Sequence, residues 1–149
     1  MMEREITLKN EWSELDRLNG WLDTLARGLG LSDHENYMLH LAMEEIVTNV
    51  MKYAYGPGVK KDIDVHSRAS DSLLEVTVID QGRPFNPLTA EEPVFPSKIE
   101  DMKVGGLGIH IVKTMIKDLR YERREGCNVL TMCITRNQNK DRKRKEREP

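Results

Sequence analysis

The stretch from Leu73 to Asp80 constrains this chain more than any other. Leu73, Leu74, Val76, Val78 and Ile79 read as an apolar strand, and such a strand needs a covered face. It ends in a carboxylate, Asp80, with Gly82 two residues later. A carboxylate in that position is partly buried, and a buried charge needs donors. The glycine lets backbone approach a flat group where a Cβ would collide. Taken alone, the same residues also describe an ordinary strand-ending Asp-x-Gly turn.

Two further stretches flank it. Glu45 and Asn49 in Glu45-Ile46-Val47-Thr48-Asn49 are one helical turn apart and share a face. They lie beside the apolar stripe of Leu39, Met43, Ile46 and Val50. Asn49 offers a neutral oxygen suited to Mg²⁺, and Glu45 could accept a proton from an attacking hydroxyl. By themselves they are equally a surface Asn and a solvated Glu. Downstream, Gly105-Gly106-Leu107-Gly108 opens an amphipathic segment carrying Ile109, Val112, Met115 and Ile116. Glycine-rich backbone at a helix N-terminus exposes N–H groups and the positive dipole end, which together hold phosphate. No Gly-Lys-Ser/Thr follows, so this is not a P-loop, and no strand leads straight into it as a dinucleotide fingerprint requires.

The rest of the chain alternates helices and strands. Trp12, Leu15, Leu18, Leu22 and Leu25 predict a helix to about Arg27, with Asn10 as its N-cap and Gly28-Leu29-Gly30 as its end. Ser32 and Glu35 form a capping box that starts a second helix, from Asp33 to about Ala54, stopped by Gly56-Pro57-Gly58. Ile6 to Leu8 is a short strand, and residues 63–65 pair with Leu73–Ile79 as a hairpin. A third helix is expected from Leu107 to about Leu119, then a hairpin of Tyr121–Arg123 with Val129–Ile134. Leu88 to Val104 carries two prolines and little periodicity, which predicts a mobile loop. The expected fold class is therefore α+β: a two-layer α/β sandwich, its sheet mixed but mostly antiparallel, with helices on one face.

Composition narrows the function. Aromatics are 5%, too few for stacking platforms, so direct nucleic acid binding is not expected. No apolar run is long enough to span a membrane, and the first residues lack a signal-peptide core. Cys127 and Cys133 lie six apart on one predicted strand, ~20 Å, too far to bridge. A reduced, cytoplasmic protein is the simplest reading. Residues 136–149 carry seven basic and three acidic side chains, a tail of +4 on a chain of net −2. The tail is expected to be disordered, with residues 1–135 forming one domain.

In this order, the three stretches resemble the N, G1 and G2 boxes of the gyrase, histidine kinase and MutL-type ATPases (the GHKL superfamily, Bergerat fold) over roughly residues 6–135. Glu-x-Val-Thr-Asn, the Asp-x-Gly-x-Pro-Phe-Asn-Pro run and the stand-alone length resemble the anti-sigma-factor serine kinases of the RsbW and SpoIIAB type. The resemblance implies that Asn49 coordinates Mg²⁺, Glu45 is the general base and Asp80 binds the adenine amine. It implies that Gly82 lines the adenine pocket, that Gly106, Leu107 and Gly108 wrap the phosphates, and that 88–104 is an ATP lid. It further implies an ATP- and Mg²⁺-dependent serine/threonine kinase. Such a kinase holds a sigma factor or comparable target, phosphorylates a STAS-domain anti-anti-sigma protein and forms a homodimer. The alternative is an ATP-binding module that sequesters its partner without kinase activity.

Overall fold

The computed structural model describes residues 2–89 and 106–137. Its elements in chain order are β1 (Met2–Lys9), α1 (Glu14–Leu29), α2 (Asp33–Asn49), a π-helical segment (Val50–Tyr55), β2 (Asp62–Ala69) and β3 (Leu73–Asp80). A 3₁₀ turn (Pro87–Thr89), α3 (Gly106–Met115), β4 (Asp118–Arg124) and β5 (Cys127–Thr135) follow. The strands form one sheet in the order β1-β2-β3-β5-β4. All four pairings are antiparallel, so the sheet expected to be mostly antiparallel is wholly so among the described residues.

One face of the sheet carries the helices. Alternation sends Ile63, Val65 and Ala69 of β2 and Leu74, Val76 and Val78 of β3 into a core shared with Leu18, Leu22, Leu39, Met43 and Val47. Register matters here: Val78 faces Leu130, Val76 faces Met132 and Leu74 faces Ile134. The next pair on the same face is Asp80 with Asn128, so the apolar ladder ends in two polar side chains under the helices. On the opposite face, charges pair across strands, as in Arg68–Glu3 and Arg120–Glu75. That face suits an antiparallel sheet open to water.

Several helix limits differ from those predicted. Helix α1 starts after Ser13 rather than at Trp12, which is 57% exposed and off the stripe. Asn10 does not cap it; its amide donates to the Gly56 and Val59 carbonyls and holds the 56–59 turn. The Ser32–Glu35 capping box is present in both directions. Helix α2 ends at Asn49, and the predicted last turn is the π segment. Helix α3 stops at Met115, short of the expected Leu119, because Leu119 already pairs with Met132 in the sheet. The β4–β5 hairpin turns through Glu125 (φ 51°) and Gly126 (φ 75°), two positive values as a type I′ turn requires. Cys127 and Cys133 are both free and both on β5.

Arg136, grouped with the tail by charge, belongs to the folded domain at 9% exposure. Its guanidinium donates to the carbonyls of Ser70 and Leu29, the latter at 2.6 Å. The Asn137 N–H donates to the second carboxylate oxygen of Glu35 at 3.0 Å. Residues 138–149, the rest of the expected tail, lie outside the described residues. Glu35 thus closes the capping box with one oxygen and anchors the end of β5 with the other. Glu35→Ala should lower stability by about 2 kcal/mol in urea unfolding, the sum of a lost cap and a lost anchor. A change within experimental error would show the anchor contributes nothing.

Candidate functional site

Helix α2 and the end of β3 form the two walls of a narrow, mainly apolar crevice. Ile46, Val50, Val78 and Leu130 line it, and Asn49 and Asp80 are its polar members on these walls. Asn49 is 4% exposed, more buried than a helix-edge residue was expected to be, because the sheet closes over it. Its side-chain amide makes no hydrogen bond to any described residue. A side-chain amide at a crevice wall that no neighbour claims is available to a ligand.

Asp80 is 3% exposed. One carboxylate oxygen, Oδ1, accepts from the Gly82 N–H and from Asn128 Nδ2, both at 2.9 Å. The other, Oδ2, has no described partner, which leaves an acceptor at the crevice wall. Burial pushes the carboxyl above its ordinary value of 3.8, against the pull of the Asn128 and Gly82 hydrogen bonds and of the Arg123 charge.

The strand end is held from both sides. From the helix layer, the Ala54 carbonyl accepts from Arg83 N–H at 3.0 Å, and the Tyr55 hydroxyl accepts from Gln81 N–H at 2.8 Å. These acceptors come from the π segment, whose wider turn presents its last residues toward β3. From the sheet edge, Arg123 Nη1 donates to the Gly82 carbonyl at 2.8 Å. Gly82 itself is buried, and a Cβ there would lie 2.6 Å from the Ala54 carbonyl oxygen. The sequence predicts close approach of a flat group at this glycine; in the structure it is the π segment that comes this close. Phe85 stacks on Tyr53, with centroids 5.3 Å apart, at the mouth of the crevice.

Glu45 is half-buried one turn before Asn49. It does not line the crevice; its carboxylate packs against Gly108 in the first turn of α3, where a Cβ would collide with it. An acid beside the unpaired N–H groups of a helix N-terminus is favourably placed. Burial raises its pKa above the ordinary 4.5, Lys52 pulls it down and Glu44 pushes it up. A carboxylate that holds a proton more readily than usual is a better proton acceptor. Gly106 and Leu107 form the backbone of that same first turn. Of the expected lid, Leu88 and Thr89 sit in the 3₁₀ turn, and Lys113 of α3 donates to the Leu88 carbonyl at 3.1 Å. Residues 90–105 lie outside the described residues.

Sequence reasoning missed Asn128, Tyr121 and Arg123. Asn128 lies one residue before the strand expected from Val129. A polar residue in step with Leu130, Met132 and Ile134 is the signal that finds it.

Two predictions follow from this packing. Gly82→Ala meets rigid backbone and should cost about 1–3 kcal/mol of stability. Gly108→Ala meets only the movable head of Glu45, and alanine favours a helix by up to about 1 kcal/mol. Its melting temperature should hold or rise. Equal effects of the two substitutions on stability would contradict this contrast. The second prediction concerns pH. Because Asp80 is raised in the folded state, the native protein binds its proton more tightly than the unfolded chain does. That contribution is complete below about pH 4 and is lost as pH rises through the raised value. Asp80→Asn removes it, so the variant's stability relative to the parent should rise with pH over that window. Urea midpoints at acid and neutral pH measure the difference, and a constant offset would be the contrary result.

Comparison with known proteins agrees with this geometry. Residues 8–134 match the histidine kinase-like ATPase domain family. The serine-protein kinase RsbW of Listeria innocua is 31% identical over 137 residues, covering 87% of this chain and 86% of that protein. The serine/threonine-protein kinase BtrW of Bordetella bronchiseptica is 27% identical over 112 residues, covering 75% and 79%. In fold, the chain is similar to a crystal structure of the RsbU and RsbW domains of a Mycobacterium tuberculosis protein (TM-score 0.64, 17% identity). The match covers 89% of this chain and 32% of that one, so the chain spans about a third of that longer protein. The catalytic domain of histidine kinase ThkA is also similar (TM-score 0.51, 18% identity, 91% and 97% covered). The chain belongs to the histidine kinase-like ATPase family, and within it to the group of ATP-using serine/threonine-protein kinases.

Proposed function

We propose that this kinase is an anti-sigma factor of a partner-switching circuit, dependent on ATP and Mg²⁺. It holds a sigma factor, or a comparable regulatory target, inactive and phosphorylates a STAS-domain anti-anti-sigma protein on a serine or threonine. It does so as a homodimer in the cytoplasm. The names of its curated relatives, serine-protein kinases of the RsbW type, support the kinase class. No helix among the described residues is long and apolar enough to cross a membrane.

The observation that carries the reading is the crevice itself: Asn49, whose side-chain amide no described residue claims, lines it beside the Asp80 acceptor and one turn from Glu45. Asn49 is the residue that would hold Mg²⁺. Mg²⁺ draws most of its ligands from phosphates and water, so one neutral side-chain oxygen is a sufficient protein contribution. When bound, Mg²⁺ would neutralise charge on the transferring phosphoryl group. Asp80 accepts the amine of the base, and Gly82 gives the loop its close fit. The N–H groups of Gly106, Leu107 and Gly108 face the phosphates. Glu45 takes the proton from the incoming hydroxyl. The protein thus contributes position and fixed charge rather than covalent chemistry.

Calorimetric titration of ATP with and without Mg²⁺ tests the site. Asn49→Ala should abolish the Mg²⁺-dependent part of binding. Glu45→Gln should leave the ATP Kd within about 3-fold yet slow transfer to a serine-bearing STAS protein by about 10²–10⁴-fold. Transfer that survives Glu45→Gln would remove Glu45 as base. Binding without transfer in the parent protein would leave a sequestering module in place of a kinase.

A further inference from the structure

Asn128 is the most heavily hydrogen-bonded side chain around the crevice. It is 4% exposed and sits on β5 directly across from Asp80. Nδ2 donates to Asp80 Oδ1 at 2.9 Å and to the Arg83 carbonyl at 2.8 Å. Oδ1 accepts from Phe85 N–H at 3.2 Å and from the Tyr121 hydroxyl at 2.6 Å. A carboxamide has two donor hydrogens and two acceptor lone pairs, and all four are used. The orientation of the amide is fixed as well, because the Arg83 carbonyl can only accept and the Phe85 N–H can only donate.

The consequence lies in what Asp80 has left. Asn128 and the Gly82 N–H both occupy Oδ1, and Oδ2 alone remains as an acceptor at the crevice. Having no free donor or acceptor, Asn128 cannot read a ligand itself. We infer that Asn128 is a positioning residue that sets base selectivity, by pinning Asp80 so that its one free oxygen accepts only from an amino group at the six-position of a purine. Tyr121 supports it from β4, and through Arg83 and Phe85 the same amide fixes the loop that bears the Phe85 ring. A six-carbonyl purine would set an acceptor against an acceptor and leave a buried carboxylate unpaired, which costs more than a missing contact. The inference rests on the reading of Asp80 as the base-amine acceptor.

ATP and inosine triphosphate differ in the ring at position six, amine against carbonyl, and at N1, an acceptor in adenine and an N–H in hypoxanthine. Their Kd values should be compared by calorimetry for the parent protein, Asp80→Asn, Asn128→Ala and Asn128→Asp, with thermal unfolding of each. The parent should favour ATP by about 10-fold or more. Asp80→Asn, which can turn a donor toward the base, should lose or reverse that preference. Asn128→Ala should cut the preference by about 5-fold, mainly by weakening ATP, with inosine triphosphate changed by less than about 3-fold. Asn128→Asp keeps the shape but sets an acceptor against Asp80, and should abolish the preference even if the alanine variant does not fold. An Asn128→Asp or Asn128→Ala protein that folds and keeps the parental ratio, both affinities falling together, would make Asn128 merely structural and overturn the inference. If Asp80→Asn keeps the parental ratio, the reading of Asp80 fails first, and the two failures are distinguishable.

Discussion

The period of two along β3 determines where Asp80 must go. Leu74, Val76 and Val78 all face the helices, and the strand cannot keep them buried without also turning Asp80 inward. A carboxylate at 3% exposure is tolerated only if the surroundings supply donors. Much of the local architecture answers that demand: the Gly82 N–H, the Asn128 amide and the nearby Arg123 charge. These compensations are incomplete, since burial still dominates and holds the pKa up.

Two elements meet at this point with opposite mechanical roles. The π segment approaches from the helix layer and fixes the chain just after β3 through the backbone of Ala54 and the Tyr55 hydroxyl. The β4–β5 hairpin fixes the same loop from the sheet edge through Asn128 and Arg123. The loop after β3 is therefore held from two sides. The first turn of α3, which the proposed function assigns to the phosphates, belongs to a helix of ten residues whose tie to the 3₁₀ turn runs through Lys113.

Much of this was legible in the sequence because the signals were local. The Ser32–Glu35 capping box, the Glu45–Asn49 spacing and the Asp80-x-Gly82 turn depend on residues within one or two turns of each other. What escaped depended on distant partners. Asn10 looked like a cap, but its amide was claimed by the Gly56 and Val59 carbonyls some 46 and 49 residues away. Leu119 fitted the helical stripe of α3, yet pairing with Met132 drew it into the sheet. Asn128 precedes the strand expected from Val129, and only the register sets it against Asp80. The π segment has no simple sequence signature, since its apolar spacing is close to that of an ordinary helix.

The anchoring of Arg136 and Asn137 decides where the chain departs from the domain. Strand β5 begins beside Asp80 and ends beside Leu73, so Arg136 lies eight residues, or about 26 Å, from Asn128 along the strand. The exit is clamped to the last carbonyl of α1, the β2–β3 turn and the first turn of α2. Anything tethered beyond Asn137 starts from the pole opposite the nucleotide crevice, and a fluorophore or affinity handle placed there would leave the mouth of the site unobstructed.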